Sequence, residues 1–215
     1  MILFKNRLDA GERLSAKIQL SEGDKNPIVL GIPRGGISVG YSIARKLNCP
    51  LEPITLRKLP IPQNDQMGFG AVTLDKQVIL NRRLIDAGYV SESEIDAIVD
   101  EVYEEVMRRD KLYRGSRPFP ELKDRCVIIV DDGLATGFTM LAAIRFAKDK
   151  EAMKILCAVP VAHENSYNMV KQEADSIVCL HIDRGYSFAV ASFYASFPDM
   201  RDSEVISILK KIHNV

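Results

Sequence analysis

Two adjacent acids, Asp131 and Asp132, end the apolar run in "CVIIVDDGLATGFTM" (126–140). Ionised carboxylates only accept hydrogen bonds, so the pair suits sugar hydroxyls or a hard cation such as Mg²⁺. Buried without partners they would be costly, so a partner is expected. The next residues, Gly133 to Thr139, hold two glycines, one alanine and two threonines. Such a loop can wrap tightly, turn its N–H groups inward and add two hydroxyl donors. A helix is expected from about Phe138 or Thr139, and helix N-termini hold phosphate. Acids on one side and amides on the other would fit a sugar phosphate.

Elements must bring these residues to one place. Apolar runs at 27–33, 51–59, 125–132, 153–162 and 175–182 read as strands. Stretches 36–48, 139–150 and 164–174 carry helical spacing between them. Strands apolar on both faces, alternating with helices, predict an α/β fold with a mostly parallel twisted sheet flanked by helices. Ligands in such sheets bind beyond the strands' carboxyl ends, where Arg34, Lys58 and Asp131 fall. Two stretches break the alternation. "PIPQNDQMGFG" (60–70) reads as a loop. "SESEIDAIVDEVYEEVMRRDKLYR" (91–114) reads as a long amphipathic helix. Ser91 and Glu94 form its capping box, and Ile95, Ile98, Val99, Val102 and Val106 its apolar stripe.

The acidic stretch resembles the signature of the type I phosphoribosyltransferases: an apolar run, two acids, a few small residues, then Thr-Gly and a further Thr or Ser. Here these are Val127 to Val130, Asp131-Asp132, and Gly133 to Thr139. The resemblance covers roughly 27–72 and 125–182, and is nearest to a poorly characterised branch of the family. It implies that Asp131 and Asp132 contact the ribose hydroxyls of phosphoribosyl pyrophosphate. It implies a cradle for the 5-phosphate from Gly133, Ala135, Thr136, Gly137, Phe138 and Thr139. A short loop after the first core strand holds pyrophosphate in this family; "PRGG" stands there, with Arg34, Gly35 and Gly36. Lys58, at the root of the expected mobile lid 59–70, resembles a further pyrophosphate contact. Asp131, Asp132, Lys58 and Arg34 would be the catalytic set.

The implied activity is transfer of ribosyl 5-phosphate to a nitrogen nucleophile such as a nucleobase. Mg²⁺ is the implied cofactor, met by Asp131 and Asp132 directly or through ligand or water. A non-catalytic sensor of the same ligand is the alternative. The partners are then phosphoribosyl pyrophosphate and a small-molecule acceptor, and a homodimer is a family expectation. The expected organisation is a single domain with its core at about 24–182, a helical insertion at about 75–124 and a hood from 1–20 and 183–200. The hood would choose the acceptor. "SFAVASFYASF" lacks the acid that purine salvage enzymes carry after their aromatic-valine stretch, and Asp199 comes late, which argues against a purine.

Other readings are weaker. No G-x-x-x-x-G-K-[ST] run accompanies strand 127–131, so a P-loop NTPase is not supported. "GISVG" (36–40) matches G-x-S-x-G, but "PRGG" uses up the turn and leaves Ser38 inside the next helix. His163, His181 and His213 show no ligand spacing. Tyr186, Phe188, Phe193, Tyr194 and Phe197 could stack on a base or simply fill a core. Cys49, Cys126, Cys157 and Cys179 lack C-x-x-C spacing and read as buried thiols of a reducing compartment.

The 215 residues carry 29 basic and 29 acidic side chains, so no basic field argues for nucleic acid. No apolar run approaches the ~18–20 residues of a membrane span. The first residues are too short an apolar stretch for a signal peptide. A cytoplasmic protein is expected.

Overall fold

Helix α1 (Arg7–Ser15), capped by the Asn6 side chain on the Asp9 N–H, precedes the first strand. Strand β1 (Ile28–Gly31), helix α2 (Gly35–Leu47) and strand β2 (Leu51–Pro53) form a first unit of parallel sheet. Strands β3 (Leu56–Ile61), β4 (Asn64–Thr73) and β5 (Val78–Leu80) follow, then helices α3 (Arg82–Asp86) and α4 (Glu92–Arg114). Strand β6 (Cys126–Val130), helix α5 (Phe138–Asp149), strand β7 (Lys154–His163), helix α6 (Glu164–Glu173) and strand β8 (Ser176–Asp183) return to the sheet. A 3-10 turn (Val190–Phe193) and helix α7 (Asp202–His213) come last. This computed structural model describes residues 2–62 and 64–213, without the side chains of 65, 66 and 213.

The central sheet has five strands in the order β2-β1-β6-β7-β8, all parallel, as the alternation of strands and helices predicts. Every residue of β1 and β6 is buried, because helices cover both faces. Alternate residues serve opposite layers. Ile28, Leu30, Val127 and Ile129 meet Met140, Ile144 and Phe146 of α5. Val29, Ile128 and Val130 meet Leu14 of α1, Ile37 and Ile43 of α2, and Leu209 of α7. The loop that follows β6 is thereby fixed to rigid structure.

Two expectations change. The run 51–59 is not one strand: β2 joins the parallel sheet, and β3 leaves it for a second, antiparallel sheet, β3-β4-β5. The stretch 60–70 is mostly hairpin, with β3 and β4 paired from Leu56↔Thr73 to Ile61↔Asn64. Its Pro60 sits at a register irregularity, where a missing N–H is tolerated. Its Gly70 is needed because a Cβ there would lie 2.3 Å from the Ile79 carbonyl oxygen of β5. Both residues read as loop punctuation in the sequence and serve packing in the fold. The 75–124 stretch likewise holds β5 as well as helices.

The long helix forms over Glu92–Arg114, with Ser91 N–H on Glu94 Oε2 at 3.0 Å. Its stripe Ile95, Ile98, Val99, Val102 and Val106 packs on Leu59, Phe69 and Val72 of the hairpin, as the spacing predicts. Its last turn is pinned to β2: Arg114 Nη1 reaches Glu52 Oε2 at 2.7 Å and Nη2 the Pro53 carbonyl at 2.7 Å. Arg114 is almost fully buried.

Candidate active site

The carboxyl ends of β1 and β6 lie side by side. Their register pairs Gly31 with Val130, and the Ile32 N–H continues it by donating to the Val130 carbonyl at 2.8 Å. The two loops that leave these strands are therefore neighbours. Asp131 and Asp132 follow β6, and Pro33 to Gly36 follow β1, with a cis peptide between Pro33 and Arg34. A Cβ on Gly35 would fall 1.8 Å from Asp132 Oδ2, so only glycine lets the two loops close up.

Asp132 has the partner that buried charge requires. Arg7 Nε donates to Asp132 Oδ2 at 2.6 Å, both side chains being largely buried. Arg7 also donates from Nη1 to the Pro198 carbonyl at 2.8 Å and stacks 3.6 Å above the Phe197 ring. The Tyr194 hydroxyl donates to the Asp132 carbonyl at 2.6 Å. Asp131 Oδ1 accepts the Asp132 N–H at 2.8 Å. Burial raises the pKa of both carboxyls. At Asp131 the Asp132 charge adds to burial, while at Asp132 the Arg7 guanidinium opposes it.

The loop after the acids is held from behind. Leu134 N–H donates to the Val161 carbonyl at 2.8 Å, the His163 N–H donates to the Leu134 carbonyl, and the Ser166 hydroxyl donates to the Ala135 carbonyl. Gly137 precedes α5 with φ +85°, the left-handed region that favours glycine. Ala135 and Thr136 are exposed, and the free N–H groups of the α5 start follow them.

Between these loops lies a cavity of about 400 Å³. Of the expected site residues, Arg34, Gly35, Lys58, Asp131, Asp132 and Thr139 line it. Gly36 sits in the first turn of α2, and Gly133, Ala135, Thr136, Gly137 and Phe138 form the loop and helix start between Asp132 and Thr139. Arg7, Arg57, Arg109 and Asp199 also line the cavity and were not singled out for it by the sequence. Arg57 stands beside Lys58, which was a usable signal. Arg7 and Arg109 lie on helices far along the chain, and only the fold brings them in. Val190, Phe197 and Met200 form an apolar edge.

The remaining candidates sit elsewhere. Ser38 lies inside α2 and is buried. His163 caps α6, its Nδ1 accepting the Asn165 N–H, and His181 packs on the Phe193 ring; the side chain of His213 is outside the described ones. Phe193 and Tyr194 are core residues packed with Phe4, whereas Tyr186 is fully exposed. All four cysteines are free, and burial pushes the thiols of Cys49, Cys126 and Cys179 up to about 11 and that of Cys157 higher still. They stay protonated and unreactive. Among the described residues no group of three His, Cys, Asp or Glu could hold a metal ion, and no helix is long and apolar enough to cross a membrane.

Comparison with known proteins gives a consistent result. The profile of the phosphoribosyl transferase domain matches residues 2–193. Two Mycobacterium tuberculosis proteins, each provisionally named a phosphoribosyl transferase, are 34% identical to the chain over 213 residues, 99% of it and 48% of their own length. The chain thus spans about half the length of the curated relatives it matches. A crystal structure of a Thermus thermophilus protein is similar with a TM-score of 0.79 and 30% identity, covering 98% of this chain and 99% of that one. With an acid-ended strand facing a small-residue loop in a parallel sheet, and a domain profile that spans most of its length, this chain belongs to the phosphoribosyl transferase domain family.

Proposed function

We propose that the chain binds phosphoribosyl pyrophosphate in this cavity and transfers its ribosyl 5-phosphate to a nitrogen nucleophile, releasing pyrophosphate. The observation that carries the reading is the meeting of Asp131, Asp132, Arg34, Lys58 and Thr139 around one cavity. The bond from the anomeric carbon to a pyrophosphate oxygen breaks, a carbon–nitrogen bond forms, and the acceptor nitrogen releases a proton to solvent.

Each residue has a role that its chemistry suits. Asp131 and Asp132 accept the ribose hydroxyls and lie near the carbon that becomes electron-poor. Arg7 donates to Asp132 and favours its ionised form against burial. Gly133, Ala135, Thr136, Gly137, Phe138 and Thr139 receive the 5-phosphate with backbone N–H groups and hydroxyls. Arg34 and Lys58, with the backbone of Gly35 and Gly36, meet the negative charge that grows on pyrophosphate. Two carboxylates are fewer than an all-protein cage needs, so Mg²⁺ would be held mainly by ligand oxygens and water, with Asp131 and Asp132 alongside. Bound there, the ion would neutralise charge on the diphosphate. The segments 1–20 and 183–200 serve as hood. Its apolar edge, with Asp199 as the acid, suits a flat acceptor that has N–H donors.

Incubating the full chain with phosphoribosyl pyrophosphate, Mg²⁺ and a panel of nucleobases and small amines tests the reading. Pyrophosphate release dependent on one acceptor class is expected. Binding of the sugar diphosphate without release for any acceptor would instead make the chain a sensor of that ligand.

A further inference from the structure

Two cavity arginines have no part in the roles above. Arg57 stands on β3 and Arg109 on α4, and one carboxylate holds both. Glu105 Oε1 accepts Arg57 Nη1 at 2.9 Å and Arg109 Nε at 2.7 Å. Arg108 adds Nε to Oε2 at 2.6 Å and Nη2 to Oε1 at 2.9 Å. One carboxylate shared by three guanidinium groups leaves the cluster with a positive surplus. Burial, and then repulsion from Arg109 and Arg34 against the pull of Glu105, lowers the pKa of Arg57. The cluster would gain from an anion. Arg109 is held by its Nε alone, and among the described residues nothing takes its terminal nitrogens, while its side chain lines the cavity. A guanidinium fixed at one end presents the rest of its fork to a ligand.

The sheet order says which end of a ligand would meet it. The acids follow β6 in the middle of the sheet, Arg34 follows β1 next to it, and β3 follows β2 on that same side. The apolar edge of Val190 and Phe197 follows β8 at the opposite side. Lys58 and Arg57 of β3 and Arg109 of α4, the helix whose last turn is pinned to β2, also line the cavity.

We infer that Arg57 and Arg109, clamped together on Glu105, bind the distal phosphate of a diphosphate, so that the long helix is part of the ligand site and discriminates a diphosphate from a single phosphate. The inference rests on the proposed function for the orientation of the pentose. Arg57 and Arg109 touch the ligand; Glu105 is a positioning residue. The bland alternative is a helix-to-hairpin salt bridge that only fixes α4.

Calorimetric titration of the full chain separates the two, with inorganic pyrophosphate, inorganic phosphate and ribose 5-phosphate as probes. Arg109→Gln is expected to weaken pyrophosphate about tenfold or more, the scale of one charged hydrogen bond, and to leave ribose 5-phosphate within about twofold. Arg109→Lys, which keeps the charge and loses the fork, should fall between. Glu105→Gln should weaken pyrophosphate with ribose 5-phosphate unchanged, and Glu105→Asp should restore part of the loss. Arg82→Gln, which removes a distant exposed charge, should change nothing. Pyrophosphate affinity kept by Arg109→Gln, or lost equally for ribose 5-phosphate, would overturn the inference, as would a wild-type protein that binds phosphate as tightly as pyrophosphate. If ribose 5-phosphate fails to bind wild type while pyrophosphate binds and responds to Arg109→Gln, the pentose reading falls and the anion clamp stands.

Discussion

At the scale of single residues, the site carries charge that the fold does not want for its own sake. A carboxyl whose folded pKa lies above its ordinary 3.8 favours folding while protonated and opposes it as pH rises through the folded value. Asp131 is such a group, raised first by burial and then by Asp132. Asp131→Asn should therefore melt higher than wild type at pH 7, with the gap closing as pH falls toward about 4. The same substitution should slow turnover about ten- to a hundredfold by removing a charged hydrogen bond of ~1.5–3 kcal/mol. A melting curve at both pH values and a rate measurement check the pair; an equal or lower melting point at pH 7 would show Asp131 to be structural. Gly35 gives a steric counterpart. Gly35→Ala places a Cβ on the Asp132 carboxylate, so the acid or the loop must move. Ligand affinity should fall by about tenfold or more, a loss readable by titration.

Elements hold these residues by means that the sequence showed unevenly. The motif at 126–139 was legible because a buried strand, two acids and a small-residue loop are local, and the long helix because its capping box and stripe are local too. The hairpin was missed because Pro60 and Gly70 are loop signals in a single sequence, and only β5 explains the glycine. Arg7 was missed because its partner lies 125 residues away on another element. The helix α4 is tied down at two points, and each makes a prediction. Arg114→Met breaks a buried pair with Glu52 and should cost about 3 kcal/mol in urea unfolding. Glu105 has its pKa lowered to about 2, first by its hydrogen bonds from Arg108 and then by the charges of Arg109 and Arg57 against burial. A lowered carboxyl adds stability above its ordinary 4.5 that is lost as pH falls toward 2. Compared with wild type, Glu105→Gln should be less stable at pH 6 and lose that disadvantage by about pH 2–3. A constant gap across the acid range would mean that the ionised carboxylate contributes nothing.

The whole molecule has no net charge, yet it sets its charges unevenly around one cavity. Acids follow the middle strand, Arg34 follows the strand beside it, Lys58, Arg57 and Arg109 come from β3 and α4, and an apolar edge follows β8. A sugar diphosphate with a flat acceptor has the same order: anion, polyol, ring. Attraction over that distance is screened by salt, so the association rate of the sugar diphosphate should fall as ionic strength rises from about 0.01 to 0.15 M. The most direct test of the central claim is calorimetric titration of the full chain with phosphoribosyl pyrophosphate and Mg²⁺, set beside the Asp131→Asn, Asp132→Asn double variant. Saturable binding to wild type, lost in a double variant that still folds, is the predicted result. No heat from wild type, or the same affinity in both proteins, would contradict it.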